Sequence, residues 1–205
     1  MIIVGVLCMR CVFILFMSIC AFAYALENNE THNEVSKEKF RWIDYNANFN
    51  DKKHLAKIVF AQDFSGSGFS RLSAIGLHYG QPNTFFGLPA RMVLELEGFL
   101  GSGSEKALNQ LIFGVSQDIV LSIPRTNFYA GVGIGIYIRT LLDSRMNSAF
   151  TFGEKVFIGY NYAVANKGGG GGISCEIFVK HYSNGDLTPL NKGFNFFGAS
   201  VGYSF

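Results

Sequence analysis

Gly131-Val-Gly-Ile-Gly-Ile-Tyr-Ile138 is the stretch of sequence that decides the fold, because it alternates strictly between two kinds of side chain. In an extended strand its valine and three isoleucines share one face, and its glycines and Tyr137 share the other. An apolar face opposite a small or polar face is typical of a strand in the wall of a membrane β-barrel. The segment therefore predicts a barrel strand whose apolar face contacts lipid.

Similar alternation recurs from residue 56 to the end of the chain. Glu95 and Glu97 occupy alternate positions, which suits a polar lumen because hydrocarbon would penalise each carboxylate heavily. Candidate strands lie near residues 56–63, 69–79, 85–99, 109–118, 127–140, 153–163, 173–183 and 194–205. Eight strands make the smallest usual closed barrel. We therefore predict an all-β fold, an eight-stranded antiparallel transmembrane β-barrel, over residues 56–205.

Turn residues and the last strand indicate how the barrel is oriented. If both ends lie in the periplasm, the turns at 81–83, 123–125 and 166–172 are on the inner side, and those at 101–104, 143–146 and 184–192 are outside. The final strand alternates and ends on Phe205, which resembles the assembly signal of Gram-negative outer-membrane barrels. A soluble lipocalin-like barrel or sandwich is the rival, but it leaves many exterior apolar side chains unexplained.

The N-terminal residues predict export. Arg10 is the only charge before an apolar core, and small residues at Ala21, Ala23 and Ala25 offer cleavage sites. Residues 1–25 are thus expected to be a cleaved signal peptide, with a retained transmembrane anchor as the alternative. Residues 26–55 are polar and lack sustained periodicity, so we expect an N-terminal extension ahead of the barrel.

Composition excludes several classes of function. The 17 basic and 15 acidic residues nearly balance, which gives no support for nucleic-acid binding. Three of the four cysteines would leave with the signal peptide, so Cys175 would have no partner for an intramolecular disulfide. The histidines His32, His54 and His78 show no metal-ligand spacing. We therefore expect neither a metal nor another cofactor.

The most informative polar residues come at the end of the seventh candidate strand. Alternation places His181 and Ser183 on its lipid-facing side, near the outer leaflet. If Ser183 faces Gly193 across the hairpin, His181 faces Asn195, and counting back from the terminal Phe205 also turns Asn195 outward. This arrangement predicts a nucleophile at Ser183, a base at His181 and an orienting amide at Asn195.

The segment His181-Tyr-Ser183-Asn184, followed by Asn191-Lys-Gly193, resembles the signature of the lipid A 3-O-deacylase family, the PagL-type outer-membrane esterases. The resemblance covers roughly residues 56–205 and continues more loosely through 128–135 and 150–156. It implies an eight-stranded barrel in the bacterial outer membrane. It also implies removal of the 3-O-linked hydroxyacyl chain from lipid A, with no cofactor.

The resemblance assigns further residues to the site and leaves two matters open. Asn184, Gly185 and Asn191 become candidates for stabilising the oxyanion or positioning the loop. The best-known family member has glutamate where this chain has Asn195, so the triad is expected to be weaker, with Asp186 as the alternative orienter. The oligomeric state stays open, a homodimer included.

The same residues also have a non-catalytic explanation. Ser183 to Asp186 is also ordinary turn chemistry, since Asn-Gly favours hairpin turns. Polar side chains are likewise tolerated at the headgroup boundary. The alternative function is therefore a catalytically inactive outer-membrane barrel with a structural or surface-interaction role.

Overall fold

The computed structural model describes residues 54–65, 70–123, 126–163 and 171–205. Its eight strands close into an antiparallel barrel in which chain neighbours pair and the last strand pairs with the first. The strands are β1 Leu55–Asp63, β2 Leu72–Phe85, β3 Leu88–Gly101, β4 Gln110–Ser122, β5 Phe128–Arg139, β6 Phe150–Ala163, β7 Gly172–Ser183 and β8 Phe194–Ser204. The predicted fold is confirmed; the predicted signal peptide lies outside the described residues.

The described residues contain one short helix, the 3₁₀ segment Gly103–Leu108 between β3 and β4. No helix in the described ranges is long and apolar enough to cross a membrane.

The two faces of the barrel wall differ as the alternation predicts. On β3, Met92, Leu94 and Leu96 are exposed, whereas Glu95 and Glu97 are buried. The other strands repeat this pattern, with exposed isoleucine, leucine and phenylalanine side chains on the outer face. Because water would penalise so much apolar surface, the outer wall is suited to lipid.

Paired ions fill the middle of the lumen. Glu176 accepts hydrogen bonds from Lys57 at 2.5 Å and from Arg91 at 2.9 Å. Lys180 bridges Glu95 and Glu97 in the same way. Buried charges are tolerated only when they are paired and hydrogen-bonded, which these groups are. The polar lumen predicted from Glu95 and Glu97 is thus present, and both carboxylates belong to an ion-pair network.

His78 joins this network, and with Glu95 and Glu97 it brings three possible metal-ligand atoms within 4.8 Å of one another. The spacing of these residues in the sequence did not reveal the group. Lys180 already pairs with both carboxylates, and His78 Nε2 lies 2.9 Å from Glu97. The cluster is therefore explained as part of the ion-pair network.

The predicted turn at residues 81–83 is wrong. Strand β2 continues through Pro82 to Phe85, and the chain reverses at Phe86 and Gly87, both with positive φ. In the described part of the chain, β1 begins opposite Gly80, so Pro82 pairs only with β3. A proline is tolerated on such a free edge, where its missing N–H breaks no ladder bond. Most of the predicted 166–172 turn lies outside the described residues.

Candidate active site on the outer wall

His181 and Ser183 lie on the outward side of β7 but are not open to the surroundings. Ile177 and Val179, which precede them on that face, are exposed. By contrast, His181 is only 8% exposed and Ser183 only 2% exposed. The outward direction matches the alternation of the sequence, but the two side chains are covered, unlike their neighbours on the same face. The two side chains occupy a recess in the outer wall.

The imidazole of His181 is held by the neighbouring strand. His181 lies directly opposite Asn195 in the β7–β8 register, and its Nδ1 is 2.7 Å from Asn195 Oδ1. An amide oxygen only accepts, so Nδ1 carries the proton and donates it to this bond. Nε2 is then unprotonated in the neutral ring, which is the form a general base requires.

Gly193 shows where the other edge of the ring points. A Cβ built on Gly193 would lie 2.9 Å from His181 Cε1 and 3.5 Å from Nε2. The β7–β8 register continued by one pair sets Gly193 opposite Ser183. The imidazole therefore leans along the strand toward the level of Ser183, and only glycine leaves room for it there.

Asp63 and Ser65, which the sequence analysis did not identify, fix the orientation of the Asn195 amide. Ser65 donates its hydroxyl proton to Asp63 Oδ1, so its remaining lone pairs face Asn195. They accept from the Asn195 backbone N–H at 2.8 Å and from its Nδ2 at 3.5 Å. With Nδ2 directed toward Ser65, Oδ1 must face His181. A chain of four residues thereby sets the tautomer of the imidazole.

Asp63 and Ser65 could not be identified from the sequence, because barrel closure brings them to Asn195. Asp63 ends the first strand, and it reaches Asn195 only because β1 pairs with β8. Asp63 and Ser65 lie 132 and 130 positions before Asn195, which leaves no local spacing to detect. A polar pair directly after an alternating strand was the only available signal.

The loop after β7 is organised by the predicted positioning residues. The Asn184 backbone N–H donates to Asn191 Oδ1 at 2.9 Å, and Asn184 Nδ2 donates to Thr188 Oγ1 at 2.6 Å. Asn191 Nδ2 donates to Asp186 Oδ1 at 2.9 Å. Asp186 is exposed and occupied by this bond, so Asn195, and not Asp186, contacts the His181 ring.

Gly185 differs from its neighbours in the loop. It has a φ of +61°, and together with Asp186 it forms a tight turn closed by the bond from the Leu187 N–H to the Asn184 carbonyl. Within the described residues its own N–H has no hydrogen-bond partner, whereas the N–H groups of Asn184 and Asp186 are both used. The Gly185 amide is thus available to a ligand.

The closed barrel and its apolar exterior together define an outer-membrane β-barrel, whose outer wall carries the imidazole–amide pair in a recess. The sequence profile of the family described as PagL, lipid A 3-O-deacylase, matches residues 59–204. The chain belongs to this family and is a bacterial outer-membrane barrel of the lipid A deacylase type. The family resemblance predicted from the sequence is confirmed.

Solved structures share the barrel at low sequence identity. The N-terminal β-barrel domain of Pseudomonas aeruginosa OprF is 10% identical with a TM-score of 0.51, covering 75% of this chain and 98% of that one. The outer membrane enzyme PagL is 15% identical with a TM-score of 0.50, covering 72% and 97%. Neisserial surface protein A is 14% identical with a TM-score of 0.50, covering 75% and 96%. A search of curated protein sequences found no significant match.

Proposed function

We propose that this protein removes the 3-O-linked hydroxyacyl chain from lipid A by ester hydrolysis, with Ser183 as nucleophile and His181 as general base. The observation that carries the proposal is the 2.7 Å bond between His181 Nδ1 and Asn195 Oδ1. It leaves Nε2 as the proton acceptor, and the ring leans toward the level of Ser183. Family membership supplies the substrate class.

The proposed reaction has two balanced steps. Ser183 Oγ attacks the ester carbonyl while His181 Nε2 takes its proton; the ester bond then breaks, and the sugar oxygen leaves with that proton. This leaves an acyl group on Ser183. Water then attacks the acyl-enzyme with the same base, releasing the hydroxy fatty acid and restoring the serine. No metal or organic cofactor is required by this chemistry.

The oxyanion that forms in each step needs a hydrogen-bond donor. The Gly185 N–H is the best placed of the predicted candidates, because it has no partner among the described residues and follows Ser183 by two positions. Asn184 and Asn191 bond within the loop, so we assign them to loop positioning.

Asn195 is assigned to orienting His181. It lacks the negative charge that would stabilise an imidazolium, and the carboxylate of Asp63 accepts from Ser65 and from the Asn195 backbone N–H, one residue removed from the His181 ring. We therefore expect a slower enzyme than one with a carboxylate at this position. His181 and Ser183 lie on the lipid-facing side of the wall, which is the side from which an acyl ester of a membrane lipid would approach.

Mass spectrometry of lipid A from cells expressing the wild type or Ser183→Ala tests the proposal. We expect the wild type to convert lipid A to a species lighter by one hydroxyacyl chain. Without the serine Oγ no acyl-enzyme forms, so Ser183→Ala should leave lipid A intact and reduce turnover at least about a thousandfold.

Heat-modifiable electrophoretic mobility serves as the control for folding and insertion of both proteins. Lipid A that is unchanged by a correctly inserted wild type, in cells and after purification in detergent, would overturn the proposal. That outcome would favour the non-enzymatic structural or surface-interaction role.

A further inference from the structure

An apolar groove on the outer wall extends sideways from the recess. Two rows of directly opposed, outward-facing residues line it. One row continues from His181 through Glu154, Ile134, Gln117 and Met92, and the other continues from Ser183 through Phe152, Ile136 and Val115. The groove has a volume of about 640 Å³ and ends at Gly185 in the loop above β7. The end of the groove at Gly185 therefore lies beside the proposed nucleophile, Ser183.

The dimensions of the groove suit a hydrocarbon chain. Three steps between neighbouring strands separate Glu154 from Met92, which corresponds to roughly 14 Å across the wall. Met92, Ile134 and Ile136 provide apolar walls along this length. The volume lies in the range of ordinary small-ligand sites, about 300–1,000 Å³. An acyl chain bound at Ser183 could lie along the groove within the outer leaflet.

Glu154 is the exception in this apolar lining. It lies directly opposite His181 in the β6–β7 register and is half-buried. Its Oε2 is inaccessible and has no hydrogen-bond partner in the described part of the chain. A buried carboxyl oxygen with no donor costs free energy, so the site is incomplete without a ligand that supplies one.

Gln117 gives a contrast within the same row. Its amide exchanges two hydrogen bonds with Asn83, each 2.9 Å long. Both polar atoms of Gln117 are thus satisfied inside the protein. The unmet hydrogen-bonding capacity is confined to the end of the groove that adjoins His181 and Ser183.

We propose that Glu154 recognises the hydroxyl group of a 3-hydroxyacyl chain and makes the enzyme selective for such esters. The inference rests on the proposed function, because the ester carbonyl must lie at Ser183. The hydroxyl-bearing carbon is two carbons beyond that carbonyl, and opposed residues such as His181 and Glu154 stand only about 5 Å apart. A hydroxyl entering the groove there donates to the carboxyl group of Glu154, which lines this end.

Hydrolysis of two matched esters by purified protein in detergent micelles tests this assignment. The first ester carries a 3-hydroxyacyl chain, and the second carries a chain of equal length without the hydroxyl. We expect the wild type to prefer the first by about tenfold to a hundredfold in kcat/KM, since the second leaves the carboxyl oxygen unpaired.

Two substitutions separate recognition from packing. Glu154→Leu removes the hydrogen-bond acceptor. The ratio of kcat/KM for the hydroxyacyl ester to kcat/KM for the plain ester should then fall close to one, mainly because the hydroxyacyl ester is hydrolysed more slowly. Glu154→Gln keeps an acceptor oxygen and should retain most of the preference. Heat-modifiable mobility checks that both variants fold like the wild type.

The outcomes distinguish this inference from the proposed function. If the wild type hydrolyses neither ester, the proposed function fails. If it hydrolyses both and Glu154→Leu leaves the ratio unchanged, hydroxyl recognition is overturned while esterase activity stands. An equal loss on both esters would also overturn it, because it would show that Glu154 acts on the catalytic step.

Discussion

Two glutamates on neighbouring strands illustrate the difference between the lumen and the outer groove. Glu176 on β7 points inward, where Lys57, Arg91 and Tyr129 donate to its carboxylate. Glu154 on β6 points outward, and its buried Oε2 has no donor among the described residues. Inside the barrel the buried carboxylates are met by protein donors, although His78 Nδ1 has no partner among the described residues. The groove instead retains polar capacity that only a ligand can use.

The same substitution at both glutamates tests this comparison and should give the largest effect. Glu176→Gln removes a charge on which Lys57 and Arg91 depend, so we expect a loss of about 3–5 kcal/mol in the free energy of unfolding. Glu154→Gln loses no protein partner and should change stability by less than about 0.5 kcal/mol. Denaturant unfolding of both variants in lipid vesicles measures the difference.

Equal losses at the two positions would contradict the comparison, because they would show that Glu154 is also structurally paired. Equal tolerance would instead show that the lumen network contributes little to stability.

A smaller effect, on catalysis, is expected from Asp63→Asn. An amide at position 63 can donate to Ser65, which can then donate to Asn195 and let its amide reverse. His181 would then accept at Nδ1 and lose its basic Nε2. We expect kcat to fall about tenfold to a hundredfold, or about 1.4–2.7 kcal/mol, with little change in KM.

A double mutant and a control identify the cause of that loss. In an Asn195→Asp background there is no amide to reverse, so Asp63→Asn should have a much smaller effect on kcat. Arg145→Met removes the 2.8 Å ion pair of Asp63 but leaves its contact with Ser65. Arg145→Met should lower the free energy of unfolding and leave kcat nearly unchanged. An unchanged effect in the double mutant would exclude the orienting role.

The smallest effect concerns the space beside the imidazole. Gly193→Ala would place a Cβ 2.6 Å from the Tyr182 carbonyl oxygen and 2.9 Å from His181 Cε1 at a φ of +66°, so we expect about tenfold lower kcat and a stability loss of at least about 1–2 kcal/mol. Gly103→Ala has a similar φ of +60°, and its Cβ would meet only the flexible side chain of Arg71. It should cost less stability, since only the strain of the positive φ remains, and it should leave hydrolysis unchanged. If Gly193→Ala and Gly103→Ala had similar kcat values, the result would show that catalysis tolerates displacement of the His181 ring.

Sequence alternation predicted the parts of the structure that depend on local geometry. Period-two patterns gave eight strands and the outward direction of His181, Ser183 and Asn195, because strand geometry turns successive side chains to opposite faces. Glu97 was correctly assigned to the lumen for the same reason.

Contacts that depend on closure could not be predicted in this way. The approach of Asp63 and Ser65 to Asn195 arises when the first strand meets the last. Glu154 shares the outward parity of Val156, so its direction was predictable. Its unmet hydrogen-bonding capacity became visible only with the full register of the strands around it.

The paired ions in the lumen also bear on transport. Glu95, Glu176 and their basic partners occupy the middle of the barrel and are bonded to one another across it. An ion crossing this region would have to separate charges that are already neutralised. We therefore expect the protein to show negligible conductance in a planar bilayer, so that its exchange with the membrane takes place through its side wall.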